Sequence, residues 1–139
     1  MKTKNILLAL SICTATITLS SITGCKKYPD GPEFTIKTRT ERLANTWKVD
    51  NYSINGTDYT SLVSSYNETF TNKGAYSYSW SFFNGSGTWD FQNKDKEVKL
   101  TGSDKQSSRT LFILKLEEKS LWYYYMDGND RYELHLNQK

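Results

Sequence analysis

The sequence is poor in the residues that most site chemistry needs. Its 139 residues include one histidine, two cysteines and two prolines. His135 has no second imidazole beside it, so a zinc centre of ordinary His/Cys type is excluded. It has no nucleophile partner for an acyl-transfer triad either. No glycine-rich phosphate loop, nucleophile elbow or dinucleotide fingerprint occurs. No apolar run reaches the ~20 residues of a membrane-spanning helix. An excess of one charge is missing too, because after Gly24 there are 16 basic and 15 acidic side chains. That balance leaves no basic stripe for nucleic acid. Aliphatics are scarce, with only fifteen Val, Ile and Leu after Gly24. These gaps rule out a disulfide scaffold, a coiled coil and a large enzyme, and predict neither catalysis nor a cofactor.

What is present is aromatic. Four Trp, ten Tyr and six Phe all lie after Lys27, so the core must be built mainly from rings. Such a composition suits strands better than helices. The length allows one domain.

The N-terminus carries an address. A positive start with Lys2 and Lys4 leads into the short apolar stretch 6–13, then to Ile22-Thr23-Gly24-Cys25. Charge, apolar stretch and small residue before a cut make a secretory signal over residues 1–24. The last four residues resemble the bacterial lipobox, with Ile22 where Leu is usual. That resemblance implies diacylation of Cys25 and a membrane held through lipid. Residues 25–36, with two prolines and a glycine among charges, read as an extended, water-exposed tether. Lys26-Lys27 is not the acidic run that would resemble a surface-export signal. The expected location is the outer membrane of a bacterium, facing the periplasm rather than the cell surface.

Residues 37–139 form the folded domain. Residues 37–45 allow a helical turn or two, and from Trp47 the chain alternates and turns. The alternation predicts eight strands, over 47–54, 66–71, 75–83, 88–92, 97–101, 109–117, 121–126 and 130–136. Asn55-Gly56, Asn72-Lys73-Gly74, Asn84-Gly85-Ser86-Gly87 and Asp127-Gly128-Asn129 read as the turns. Sequential antiparallel strands either leave two adhesive edges or close on themselves. Eight strands close around side chains or one small ligand. The expected fold is therefore all-β, an eight-stranded antiparallel up-and-down barrel with a short N-terminal helical turn.

Leu43-Ala44-Asn45-Thr46-Trp47, a long first loop, the meander and Gly87-Thr88-Trp89-Asp90-Phe91 resemble the lipocalin-like lipoproteins of the Bacteroidetes type. The resemblance covers about residues 40–136. It implies that Leu43 and Trp47 are structural, with Trp47 plugging the closed end beneath the helical turn. Asn45 stands where the family has Gly, a position where Asn tolerates positive φ. The implied function is ligand or partner binding.

Binding candidates come from the rings. Tyr76, Tyr78, Trp80, Phe82, Trp89, Phe91, Tyr123, Tyr125 and Tyr132 fall on faces expected to point inward. Either they fill the barrel, or they line a pocket for a small amphiphilic or apolar ligand. The candidate ligand-binding set is Tyr59, Leu62, Tyr76, Tyr78, Trp80, Trp89, Tyr123 and Tyr125. Tyr59 and Leu62, with Val63, belong to the long loop 55–65, read as a lid over the mouth or a short helix on the outside. Trp122, Tyr124 and Phe112 should face outward, either offering a surface to an envelope protein or covered by the N-terminal turn. Glu117-Glu118 and Asp127 with Asp130 sit in predicted turns as solvated carboxylates. They supply no catalytic pair and no metal site.

Overall fold

The computed structural model describes residues 28–29 and 36–139. The expected signal peptide, Cys25 and most of the tether lie outside the described residues. Among those described, no helix is long and apolar enough to cross a membrane.

Helix α1 (Arg39–Leu43) opens the domain and is only five residues long. It holds because its first turn is fully capped. Thr38 Oγ1 accepts from the Glu41 N–H, and the Glu41 carboxylate accepts from the Thr38 N–H at 2.8 Å. The strands follow as β1 (Thr46–Ile54), β2 (Thr57–Asp58), β3 (Asn67–Phe70), β4 (Ala75–Trp80) and β5 (Phe83–Gln92). Then come β6 (Glu97–Asp104), β7 (Arg109–Leu116), β8 (Ser120–Asp127) and β9 (Asp130–Gln138). From β3 to β9 each strand pairs antiparallel with the next, and β1 pairs with both β3 and β9. Eight strands thus close into an up-and-down barrel. The two-residue β2 only extends β1 through the Asn55-Gly56 turn, both residues at positive φ as that hairpin requires.

Several boundaries differ from the sequence reading: β6 runs to Asp104 and β9 to Gln138, and the β4–β5 hairpin is displaced. The strand expected over 75–83 ends at Trp80, and the chain reverses through Ser81 at φ 54° and Phe82. Phe82, expected inside, is 96% exposed at the tip of that hairpin. Asn84-Gly85-Ser86-Gly87 is therefore strand, not turn. Gly85 and Gly87 are buried there because neighbours leave no room for a side chain. A Cβ on Gly85 would lie 2.4 Å from the Tyr78 ring, and one on Gly87 would lie 2.2 Å from the Thr101 carbonyl.

One end of the barrel is packed solid. Leu43, Trp47, Leu116, Leu121, Leu136 and Val98 are all fully buried there, and Trp47 Nε1 donates to the Leu43 carbonyl at 3.0 Å. Salt bridges from Lys37 to Glu118 and from Arg39 to Asp95 hold α1 across the turns at this end. Asn45 does not use positive φ. Its side chain donates to the Arg42 carbonyl and accepts from Gln138, tying the helix exit to β9. Tyr28, expected in the water-exposed tether, is buried in the same core cluster.

Replacing Trp47 by Ala empties an aromatic site in this plug, and such losses are typically about 3–5 kcal/mol. At about 4 °C or more per kcal/mol for a domain of this size, melting should fall by over about 10 °C. Thermal unfolding of W47A followed by circular dichroism checks this, and a fall of a degree or two would show the plug to be dispensable.

Candidate functional site

Moving from the closed end to the mouth, the inward side chains change in kind. Along β9 they run Leu136, Leu134, Tyr132, and along β8 Leu121, Tyr123, Tyr125. On β7 they run Leu116, Ile113, Leu111, Arg109. Leucines fill the bottom, while the mouth has tyrosines around a cavity of about 640 Å³ that opens to solvent. That size lies within the range of small-molecule sites. Tyr52, Ile54, Tyr66, Tyr78, Tyr125 and Leu134 are among its walls, together with Arg109.

A strap crosses the mouth. After β2 the chain makes a 3₁₀ turn over Thr60–Val63, and Tyr59, Leu62 and Val63 border the cavity. The strap is pinned at both sides. The Tyr59 N–H donates to the Tyr52 carbonyl at 2.8 Å, and the Tyr52 N–H donates to Thr60 Oγ1 at 2.9 Å. Across the mouth, Trp80 Nε1 donates to the Leu62 carbonyl at 3.2 Å. Leu62 nevertheless remains 66% exposed, whereas Val63 is half-buried against the core cluster. The opposite rim is the β6–β7 loop, with Lys105, Gln106 and Ser107.

Beneath the pocket lies a carboxyl group that the sequence reading did not single out. Glu68 on β3 is 1% exposed, and its Oε2 accepts from the hydroxyls of Tyr66, Tyr76 and Tyr123 at 3.0–3.1 Å. Its Oε1 has no hydrogen-bond partner. Burial pushes the Glu68 pKa up to about 7, overcoming the three hydroxyl donors and the more distant Arg109 that favour the charged form. Burial likewise raises Tyr66, Tyr76 and Tyr123, which therefore stay phenols and remain donors. Tyr66 belongs to both layers, bonding Glu68 below and lining the cavity above. The signal was readable, since Tyr66, Glu68 and Phe70 share one face by alternation. A carboxylate between two rings on a buried face is anomalous.

Of the eight candidate ligand-binding residues, Tyr59, Leu62, Tyr78, Trp80 and Tyr125 line the cavity. Tyr76, Trp89 and Tyr123 do not. They are buried below it, Tyr76 and Tyr123 on Glu68, and Trp89 against Phe70 and Phe91 with Nε1 on the Thr71 carbonyl. The two alternatives for the rings thus divide by height in the barrel, filled below and hollow above. Arg109 and Tyr52 join the pocket unforeseen. His135 lies outside, stacked on Trp122 at 4.1 Å and 2.9 Å from Glu133 Oε1. No cluster of metal-ligating side chains occurs among the described residues.

No protein-family model matches the chain, and no curated protein matches it in sequence. Among solved structures it is similar to the NMR structure of a protein from Bacteroides uniformis ATCC 8492, with a TM-score of 0.53 and 20% identity. The match covers 71% of this chain and 90% of that one. At that identity the likeness speaks for the fold alone.

Glu68 makes stability depend on pH in a definite direction. Its folded pKa, about 7, lies above the ordinary 4.5. The contribution is full below about pH 4.5, where both states hold the proton, and is lost as pH rises through about 7. The shift corresponds to a fall of about 3 kcal/mol across that window. Urea unfolding at pH 4.5 to 8 should show this decline in the wild type and its absence in Glu68→Gln, while parallel curves would remove Glu68 as its source.

Proposed function

We propose that this chain is a lipocalin-like, non-enzymatic binding protein, tethered to the bacterial outer membrane through lipid on Cys25, and that its mouth holds a small amphiphilic or apolar ligand. The observation that carries the reading is the division of the barrel. A filled lower half supplies stability, and an aromatic cavity of about 640 Å³ opens above it. A barrel serving only as scaffold has no need to leave its upper half hollow. Tyrosine walls offer flat apolar faces with hydroxyl tips, which suits an amphiphile.

The tether reading gains a geometric consequence from Tyr28. This buried residue belongs to the core cluster with Leu43 and Trp47, and Cys25 is three residues away, at most about 11 Å of chain. Lipid on Cys25 would therefore hold the closed end near the bilayer and turn the mouth away from it. The alternative, an interaction protein using its outer rings, has less support. Tyr124 stacks on Phe112 at 4.9 Å under Arg131, and Trp122 lies between His135 and Lys115, so these rings are already covered by their own neighbours.

Two experiments test the proposal. Cys25→Ala should move the protein from the membrane to the soluble fraction, and a variant that still sediments with membranes would refute the lipid tether. Leu62→Ser with Val63→Ser should weaken binding of the uncharged fluorophore N-phenyl-1-naphthylamine about fivefold, roughly 1 kcal/mol of lost apolar cover. Melting should change little. If the double variant unfolds instead, the strap is core packing and not a lid.

A further inference from the structure

Charge on the cavity wall is one-sided. Among the lining residues Arg109 and Lys105 are charged, and no Asp or Glu joins them. Lys105 sits on the exposed rim, but Arg109 is half-buried at the start of β7, on the inward face that continues with Leu111 and Ile113. Its guanidinium lies 4.3 Å from the centroid of the Tyr125 ring, which fixes its place on the wall. None of the described carboxylates forms an ion pair with it. The closest acidic candidate by sequence face, Glu68, spends its Oε2 on three tyrosine hydroxyls and does not line the cavity. Arg109 thus has no carboxylate in direct contact, only the longer-range attraction of Glu68, whereas buried charges are normally paired. The guanidinium offers five N–H donors in a planar fork that matches a carboxylate or sulfonate.

We infer that the pocket is selective for organic anions, an apolar or ring-bearing body held by the tyrosine walls with its oxyanion headgroup on Arg109. This rests on the pocket reading above and adds the charge of the ligand to it. Lys105, at the rim, supplies attraction during entry rather than a fixed contact. The floor of tyrosine hydroxyls and buried Glu68 lies beneath the apolar walls, and the headgroup meets Arg109 above it.

The experiment uses N-phenyl-1-naphthylamine, which is uncharged and so does not presuppose the answer, as a fluorescent reporter in the purified protein at pH 7.5. Decanoate, decanol and decylamine, equal in length and different in charge, then compete for the site. Decanoate should displace the reporter at about tenfold lower concentration than either competitor, the size of one charge-assisted contact. Arg109→Gln should abolish that preference, bringing the three competitors to within about twofold of one another. Equal displacement by the three competitors, or a preference that survives Arg109→Gln, overturns the inference and leaves the pocket standing. If the reporter itself does not bind, the pocket reading fails and the inference with it. Should Arg109→Gln not fold, as circular dichroism would reveal, the comparison of the three competitors on the wild type decides alone.

Discussion

The pairing of β1 with β9 is the contact on which the barrel rests. It runs from Trp47 opposite Gln138 to Ile54 opposite Tyr132 and leaves no free edge for another chain to join. The pairing is not uniform. Val49 lies opposite Leu136 and Asn51 opposite His135, so Asp50 is an extra residue on β1. A bulge of this kind shifts the alternation by one and sharpens the bend. Here it lets Trp47 and Val49 face inward in the lower half and Tyr52 and Ile54 face inward in the upper half, with Asp50 left outside in water. Without it, alternation from Trp47 would turn Asn51 and Ser53 toward the cavity in place of Tyr52 and Ile54.

A second constraint comes from composition. The core is not mainly aromatic as the composition suggested, since ten of the sixteen buried hydrophobic residues among those described are aliphatic. Tyrosines nevertheless occupy the middle of the barrel, where each buried hydroxyl needs a partner or carries a desolvation penalty. Three of them converge on one carboxyl oxygen of Glu68. Hydroxyls from two strands, β4 and β8, and from the segment leading into β3 are thereby satisfied at a single point. The same arrangement makes the floor of the pocket a hydroxyl cluster rather than a greasy plug. Burial of Glu68 is thus a consequence of building a core from phenols, and its raised pKa follows from that burial.

Most of this architecture was legible because alternation is a local property. Tyr76, Tyr78 and Trp80 announce one face of β4, and Asn55-Gly56 announces the turn after β1. Gly85 and Gly87 misled for a physical reason. Glycine before a strand reads as a turn residue, but here the two glycines occupy inward positions where the Tyr78 ring and the Thr101 carbonyl come close. Nothing local distinguishes a glycine that bends the chain from one that makes room for a neighbour across the sheet. The pocket was legible only in part for a related reason. Whether Tyr76 or Tyr78 borders a cavity depends on height in the barrel, and height is set by register against β3 and β5. Arg109 was hidden because a charge at the start of a strand looks like a solvated residue until closure shows which side is inside.

The filled and hollow halves also explain how one small domain can be both stable and open. The lower half holds Trp47 and most of the fully buried leucines, with α1 clamped over it by ion pairs and a capping box. Its packing alone removes much of the apolar surface from water, which is the main stabilising contribution available to a domain of this size. The upper half is more open, since β1 pairs with β3 only over Thr46–Lys48 and β6 with β7 only over Glu97–Leu100. Several residues at the mouth, among them Tyr52, Tyr66, Tyr78 and Tyr125, still pack against the core below. Where strands must stay paired around an open space, the wall residues need stiff support, and stacked rings provide it. Tyr132 stacks on Tyr125 at 5.0 Å and on Tyr52 at 6.5 Å, joining β1, β8 and β9 at the rim. Ring stacking at the mouth thus takes the place that leucine packing holds at the base, and it does so without closing the cavity.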